Sequence, residues 1–301
     1  MPSTEQKGSE KGKGVDFFPG PEVLQNRLET SPDREAILSY LGKYGVEVDE
    51  FLPWPEKRGL YLSDLGILRH LVAGNIVICP FNPEHLTPNS YEVSLGGYFY
   101  RQEQLARRRV VFKSPERRFS FAPSPHDKDE SEERFPIFNP YDGSNIGFTW
   151  REHQAVKAGD FMRDQAVFLD GVEEDDKIII LSPQEMVLAH TDEFIGGRNV
   201  VSTMISARSS TGRNLLEVCS DANLGHIGFI NRWTLEVRNK SDDFAIPLVV
   251  GRRYAQISFL ETEPSAASYR GQFQQDSDSD IEAIRASWNP EMMLPAAARS
   301  R

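Results

Sequence analysis

The chain has 301 residues, 39% of them hydrophobic and 10% aromatic, which is enough to bury a sizeable core in one large or two ordinary domains. Lys and Arg total 34 against 45 Asp and Glu, and the formal net charge of -11 repels a phosphate backbone at long range. These values exclude a broad surface for DNA or RNA, so we expect no nucleic acid partner. A local cluster of arginines can still hold a small anionic ligand.

The two cysteines, Cys79 and Cys219, are too few for a disulfide framework and do not have the spacing of metal ligands. The N-terminal stretch MPSTEQKGSEKGKG lacks the apolar centre of a signal peptide. No run approaches the roughly 18 apolar residues of a spanning helix. We therefore expect a soluble cytoplasmic protein with no membrane partner.

Residues 1–60 are predicted to be an N-terminal extension. The first 16 residues or so are rich in Gly, Lys, Glu and Ser, a composition typical of disorder. PEVLQNRLE and SPDREAILSYLGKYG then have the pattern of short amphipathic helices. In the second of them, Ser31 is the expected N-cap and Pro32 the first helical residue.

The predicted core, residues 61–265, begins with LYLSDLGILRHLVAGNIVI. This stretch predicts a helix capped by Ser63 or Asp64 and ended by Gly74, with a strand after it. SYEVSLGGYFY alternates as a further strand. Charge runs then interrupt the pattern over about 101–160, which indicates a long surface insertion.

From Phe168 onward the sequence returns to short β-rich runs, from KIIIL to YAQISFLE. Turn residues separate them at roughly the 8–12-residue spacing typical of an all-β sandwich or barrel. Residues 266–301 are polar again, and we expect a tail without a core of its own.

Polar groups suited to chemistry lie in the β-rich half. ARSSTGR places two arginines, two serine hydroxyls and Gly212 within seven residues, donors that suit phosphate, although a polar turn that opens a short helix has the same pattern. LGHIGF is typical of a tight turn bent at Gly225 and Gly228, in which His226 is either a surface residue or a catalyst. SYRGQFQ is typical of a mobile flap or a linker.

RWTLEV has a carboxylate in the middle of a predicted strand. Trp233, Leu235 and Val237 alternate as a half-buried strand requires, which points Thr234 and Glu236 to the opposite face. The spacing alone leaves two interpretations of Glu236 open, a solvated strand residue or a functional group.

In this order the stretches resemble the dCTP deaminases, members of the trimeric dUTPase-like superfamily. IVICPFNPEHLTPNSYEVSLG is similar to the family's entry segment, which ends in SYDVRLG. ARSSTGRNLLEVC is similar to the RSSLARLGL-type signature, ANLGHIGFINRWTLEVRN to AGxIDPGFxGxxTLEL, and SYRGQF to the PYxGKY tail. The resemblance covers about Leu62 to Gln274, and the spacing from Arg213 to Glu236 fits the signature without a gap.

The resemblance implies a mainly β fold, a dUTPase-like β-barrel or jelly-roll core of the β-clip type with a few short helices. It also implies a homotrimer with sites at subunit boundaries, the tail of one chain closing over its neighbour. The activity would be that of a hydrolase acting on the C–N bond of a cyclic amidine, which converts dCTP or a related deoxycytidine nucleotide to dUTP and ammonia.

The family match also implies the site residues. Glu236 would be the catalytic proton shuttle, and Arg213 and Ser209 would position the water and stabilise charge. The substrate-binding positions would be Arg208, Ser209, Ser210, Thr211, Gly212, Arg213, Ala222, His226, Phe229, Thr234, Leu235, Tyr269 and Gln272. Mg²⁺ is expected to be shared among the triphosphate oxygens, with no protein side chain as its ligand. We expect no zinc, because the H-x-E and P-C-x-x-C elements of the zinc route are missing from the sequence.

Departures from the family pattern leave the substrate open. His226 replaces the aspartate expected at the deoxyribose 3′-hydroxyl, although histidine can also form that hydrogen bond. In the related dUTPases this aspartate activates water, so its replacement argues against dUTP hydrolysis. Asn231 replaces a glycine, Asp221 a common threonine, and Gln272 the tail lysine. Two alternatives to the deaminase therefore remain, a diphosphohydrolase of dUTP or another dNTP, or a nucleotide-binding regulator without activity.

Overall fold

The structure, a computed structural model, describes residues 17–102, 149–265, 269 and 280–295. The predicted disorder of the first 16 residues and the predicted role of Gln272 lie outside these ranges. In the described ranges no helix is long and apolar enough to cross a membrane.

Short helices flank a β-rich body. They are α1 Pro21–Thr30, α2 Arg34–Lys43, α3 Val48–Phe51, α4 Asp64–Ala73, α5 Ala158–Gln165, α6 Ser209–Arg213 and α7 Ile281–Ser287, with single 3₁₀ turns at Pro83–His85 and Pro290–Met293. Helix α4 begins as predicted, because the Ser63 hydroxyl accepts a hydrogen bond from the Gly66 N–H, and Gly74 ends it at a φ of 79°. The predicted cap of α2 is wrong: the helix begins at Arg34 after Asp33, and the Ser31 hydroxyl accepts from the Asp33 N–H in the turn before it.

The N-terminal helices share the main hydrophobic core. Leu24, Leu28, Ile37 and Phe51 are fully buried in the same cluster as residues of the β body. The described part of the extension, residues 17–60, is therefore packed onto the body.

Antiparallel strands build the body. The strands are β1 Ile76–Cys79, β2 Leu86–Thr87, β3 Ser90–Ser94, β4 Tyr98–Gln102, β5 Trp150–Gln154, β6 Val156–Lys157, β7 Lys177–Leu181, β8 Met186–His190, β9 Phe194–Gly197, β10 Val201–Ala207, β11 Leu216–Val218, β12 Leu224–Gly225, β13 Ile230–Asn231, β14 Thr234–Asn239, β15 Ile246–Val249 and β16 Arg253–Glu261. Two sheets have five strands, in the orders β12-β10-β16-β3-β2 and β11-β14-β8-β4-β5. Two smaller sheets have the orders β1-β9-β13 and β15-β7-β6.

Both five-stranded sheets contribute alternate side chains to one hydrophobic cluster. Ile257 and Phe259 of β16 meet Leu235 and Val237 of β14 there. The predicted mainly β fold with a few short helices is confirmed.

The predicted bounds of the 101–160 insertion need correction. Strand β4 pairs with β5 from Tyr98 opposite Gln154 to Gln102 opposite Trp150. Both ends of the segment therefore continue the hydrogen-bond ladder of the core sheet, and β6 and α5 follow directly. Residues 103–148 lie outside the described part of the chain.

The described C-terminal residues, 280–295, pack onto the β body. Ile284 of α7 is buried with Phe194 and Ile230, and Met293 is buried with Tyr100 and Leu188 on the outer face of the β14 sheet. Residues 280–295 thus cover part of a sheet face that would otherwise be exposed to water.

Candidate functional site

Strand β14 follows the predicted alternation. Leu235 and Val237 are 1% exposed, while Thr234 and Glu236 are half-buried on the other face. Glu236 lies directly opposite Leu188 of β8. The carboxylate in the middle of the strand therefore points away from the main core.

Glu236 faces a cavity of about 450 Å³, which we call the Glu236 cavity. Five predicted site residues besides Glu236 line it: Ala222, His226, Phe229, Thr234 and Tyr269. This volume is in the range of small-molecule sites, and the mixture of apolar walls with few polar groups is typical of them.

Burial raises the pKa of Glu236 above its ordinary value, and the negative charge of Asp221 raises it further. A carboxyl group with a raised pKa gives up its proton less readily than a free one, which favours its use as a proton donor as well as an acceptor. Beneath it, the Cys219 N–H donates to the Glu236 carbonyl at 3.1 Å and so ties β11 to this strand. Burial raises the pKa of the Cys219 thiol to about 12, which keeps it neutral.

Aromatic rings form one end of the Glu236 cavity. The His226 and Tyr269 rings stack with centroids 5.7 Å apart at 13°, and Phe229 meets Tyr269 edge-on at 5.6 Å. The Tyr269 N–H donates to the Ile227 carbonyl at 2.9 Å. This tail residue therefore lies over the cavity of its own chain, whereas the resemblance placed the tail over a neighbour.

The ARSSTGR signature opens a short helix at the end of β10. Ser209, Ser210, Gly212 and Arg213 are exposed on α6. Arg213 and Ser210 line a different cavity, together with Leu215 and Phe244, which we call the Arg213 cavity. Within one chain, the predicted catalytic residues Glu236 and Arg213 therefore line two different cavities.

Two predicted phosphate ligands have other partners. The Arg208 Nε lies 2.6 Å from Glu92, and its Nη1 donates to the Arg253 carbonyl at 2.9 Å. Thr211 is buried and its hydroxyl donates to the Tyr254 carbonyl at 2.8 Å. These bonds fix α6 to β3 and β16, and the substrate role of both side chains stays a prediction.

The predicted substrate contact of Leu235 stays a prediction. The Leu235 side chain is 1% exposed in the main core, on the face of β14 opposite to Glu236.

The prediction for the LGHIGF turn needs correction. Gly228 makes the bend at a φ of 94°, but Gly225 lies in β12, where a Cβ would meet Thr203 Oγ1 at 2.1 Å. Gly225 is required for close packing, not for a turn.

The sequence interpretation missed the wall that the C-terminal segment gives to the Glu236 cavity. Trp288, Met292, Met293 and Leu294 line the cavity. Trp288 lies 4.8 Å from the His190 ring and 4.6 Å from the Arg232 guanidinium. The sequence does contain a pattern that predicts a packed C-terminal helix, because Ile281, Ile284 and Trp288 recur at the spacing of one helix face.

Among the residues that the structure describes, no group of three or more His, Cys, Asp or Glu side chains is placed to hold a metal ion.

Residues 144–262 match the family model described as dCTP deaminase-like. The matched residues include the ARSSTGR and RWTLEV stretches that carry the sequence resemblance. The chain is 28% identical over 207 residues to a "dCTP deaminase, dUMP-forming" of Acidothermus cellulolyticus, across 69% of this chain and 83% of the relative. A protein of the same description from Streptomyces griseus is 27% identical with the same coverage.

Solved structures with similarity include the 2′-deoxycytidine 5′-triphosphate deaminase of Agrobacterium tumefaciens. It is 18% identical with a TM-score of 0.38, over 67% of this chain and 48% of that one. The EIAV dUTPase is 15% identical with a TM-score of 0.26, over 32% of this chain and 78% of that one.

Proposed function

We propose that the protein is a hydrolytic deaminase of a deoxycytidine nucleotide, dCTP in the first place. The observation that carries the proposal is the carboxyl group of Glu236, half-buried and with a raised pKa, at the wall of a cavity in a dCTP deaminase-like domain. Relatives that align over most of their length are named dCTP deaminases, which supports the same substrate.

Glu236 moves protons between water and the base. The carboxylate removes a proton from a water molecule as its oxygen bonds to C4 of the cytosine, and the proton passes to N3. Glu236 then takes the proton of the C4 hydroxyl and delivers it to the amino group, the C4–N bond breaks, and ammonia leaves a uracil base with a C4 carbonyl. A raised pKa suits both halves of this cycle, because the same group must accept and donate.

A second copy of the chain completes the site in this proposal. Arg213 and Ser209 are exposed on α6 and do not line the Glu236 cavity of their own chain. In a homotrimer with head-to-tail contacts, the Arg213 guanidinium of one subunit reaches the Glu236 cavity of the next and stabilises charge on the adduct. Assembly as a trimer is part of the proposal.

The triphosphate lies against the exposed part of the signature. Ser209, Ser210 and Arg213 offer two hydroxyls and a guanidinium, while the Arg208 guanidinium is bonded to Glu92 and to the Arg253 carbonyl. Mg²⁺ fits here as an ion bound mainly by the phosphate oxygens, since the exposed part of α6 presents hydroxyl and cationic groups and no carboxylate. Its charge would balance the triphosphate that these residues orient.

The fate of the triphosphate distinguishes two candidate products. The relatives are named dUMP-forming, which favours a second step that releases pyrophosphate. His226, which stands where the resemblance expects an aspartate, favours dUTP as the final product, because imidazole replaces the carboxylate that would activate water for phosphate chemistry. A regulator that binds nucleotide without turnover is the outcome expected if Glu236 does not act.

The test is product analysis with the full chain, dCTP and Mg²⁺. Ammonia should appear with a uracil nucleotide, and chromatography separates dUTP from dUMP with pyrophosphate. Glu236→Gln should lower kcat by about 10²–10⁴-fold while the variant still binds dCTP. Wild-type turnover in that variant would remove Glu236 from the mechanism, and binding without ammonia in the wild type would favour the regulator.

A further inference from the structure

Part of the lining of the Glu236 cavity is apolar. Met186, Leu188, Met293 and Leu294 line this part, which we call the apolar recess. Leu188 lies directly opposite Glu236 across the β8–β14 pair. Because directly opposed residues of antiparallel strands point to the same face, the Leu188 side chain adjoins the carboxyl group.

The recess is a built part of the structure. Leu188 and Met293 are buried, 6% and 4% exposed, in one cluster with Tyr100 and Trp150. The C-terminal segment that supplies Met293 and Leu294 is held in place separately, by Ile284 among Phe194 and Ile230.

The lining decides which edge of a cytosine faces the recess, provided that Glu236 acts at C4 as in the proposed function. The ring neighbours of C4 are N3, a hydrogen-bond acceptor, and C5, which carries only hydrogen. The four recess side chains contain carbon and thioether sulfur and donate no hydrogen bond. N3 would lose its partner there, whereas C5–H loses nothing, so the C5 edge faces the recess.

We infer that the site takes deoxycytidine nucleotides that carry a small apolar group on C5. For 5-methyl-dCTP the reaction balances as for dCTP: water supplies the oxygen at C4, the C4–N bond breaks, ammonia leaves, and the methyl group is unchanged. The product base is thymine. Burial of the added methyl group should raise kcat/KM about four-fold over dCTP, equivalent to about 0.8 kcal/mol.

The experiment compares kcat/KM of the full chain for dCTP, 5-methyl-dCTP and 5-hydroxymethyl-dCTP. The hydroxymethyl compound controls for size, and it should lose the gain because its hydroxyl finds no partner in the recess. Leu294→Gln should bring the ratio of 5-methyl-dCTP to dCTP down toward one. Ile281→Gln is the matched control: it changes a half-buried residue of the same segment that does not line the cavity, and it should leave the ratio unchanged.

The outcomes separate this inference from the proposed function. Deamination of dCTP with an equal or lower kcat/KM for 5-methyl-dCTP overturns the inference alone. Absence of ammonia from every nucleotide overturns the proposed function. The affinities of dCTP and 5-methyl-dCTP, measured by calorimetry, then test whether the recess accepts the methyl group. Tighter binding of the methylated nucleotide supports the recess, and equal or weaker binding overturns it.

Discussion

Gly225→Ala tests how the β12–β14 region is packed behind the Glu236 cavity. A Cβ at this position would lie 2.1 Å from Thr203 Oγ1 and 2.5 Å from two ring carbons of Trp233. Ordinary contact needs about 3.4 Å, so the hydroxyl would have to move by roughly 1.3 Å.

Neither neighbour is free to move. Thr203 is fully buried, and Trp233 is held by bonds from its backbone N–H to Thr191 Oγ1 at 2.9 Å and from its Nε1 to the Ile195 carbonyl at 3.0 Å. Overpacking of this kind lowers the free energy of unfolding by about 1–3 kcal/mol. The strain also falls on Phe229, whose ring meets Trp233 edge-on at 5.3 Å at the cavity wall.

Urea unfolding of the wild type and of Gly225→Ala measures the difference in the free energy of unfolding, with Gly42→Ala as the control. Gly42 lies in α2 and has nothing within 4 Å of its missing Cβ, so alanine there should stabilise the helix by about 0.5–1 kcal/mol. A Gly225→Ala variant as stable as the wild type would refute the packing described for this region.

Further predictions concern the site. Asp221→Asn should lower the pKa of Glu236, because it removes the negative charge that helps to raise it. The rise of kcat/KM with pH requires the Glu236 carboxylate, so this rise should move to lower pH. Asp164→Asn, at an exposed position, is the control and should leave the pH profile unchanged. An unchanged profile would mean that Asp221 does not act on Glu236. Thr211→Val should lower the free energy of unfolding by about 0.5–1.5 kcal/mol through loss of the bond to Tyr254, with KM for dCTP unchanged. Ser210→Ala should raise KM for dCTP and leave the free energy of unfolding unchanged. If calorimetry and kinetics show instead that Thr211→Val raises KM and leaves stability unchanged, Thr211 is a phosphate ligand.

Local patterns account for what the sequence predicted well. The two-residue period of RWTLEV separates Leu235 from Glu236 without knowledge of the fold, and the cap and stop of α4 are set within a few residues of Ser63 and Gly74. The family motif adds the identity of Glu236 as the functional carboxylate candidate.

Features that no local pattern predicts depend on contacts that are distant in sequence. The ion pair of Arg208 with Glu92 at 2.6 Å joins α6 to a strand far earlier in the chain. The wall formed by Met293 depends on Leu188 and Tyr100, which no local pattern connects to it. Likewise, the need for glycine at Gly225 comes from the Trp233 ring, although a glycine in LGHIGF suggests a turn.

Mixing two inactive variants tests most directly whether Glu236 of one subunit works with Arg213 of another. Chains with Glu236→Gln and chains with Arg213→Ala are unfolded together, refolded at equal amounts, and assayed for ammonia from dCTP. Each variant alone should be inactive, and random assembly of head-to-tail rings should restore about a quarter of the wild-type sites. No activity in the mixture, with both variants folded and assembled, would contradict a site shared between subunits.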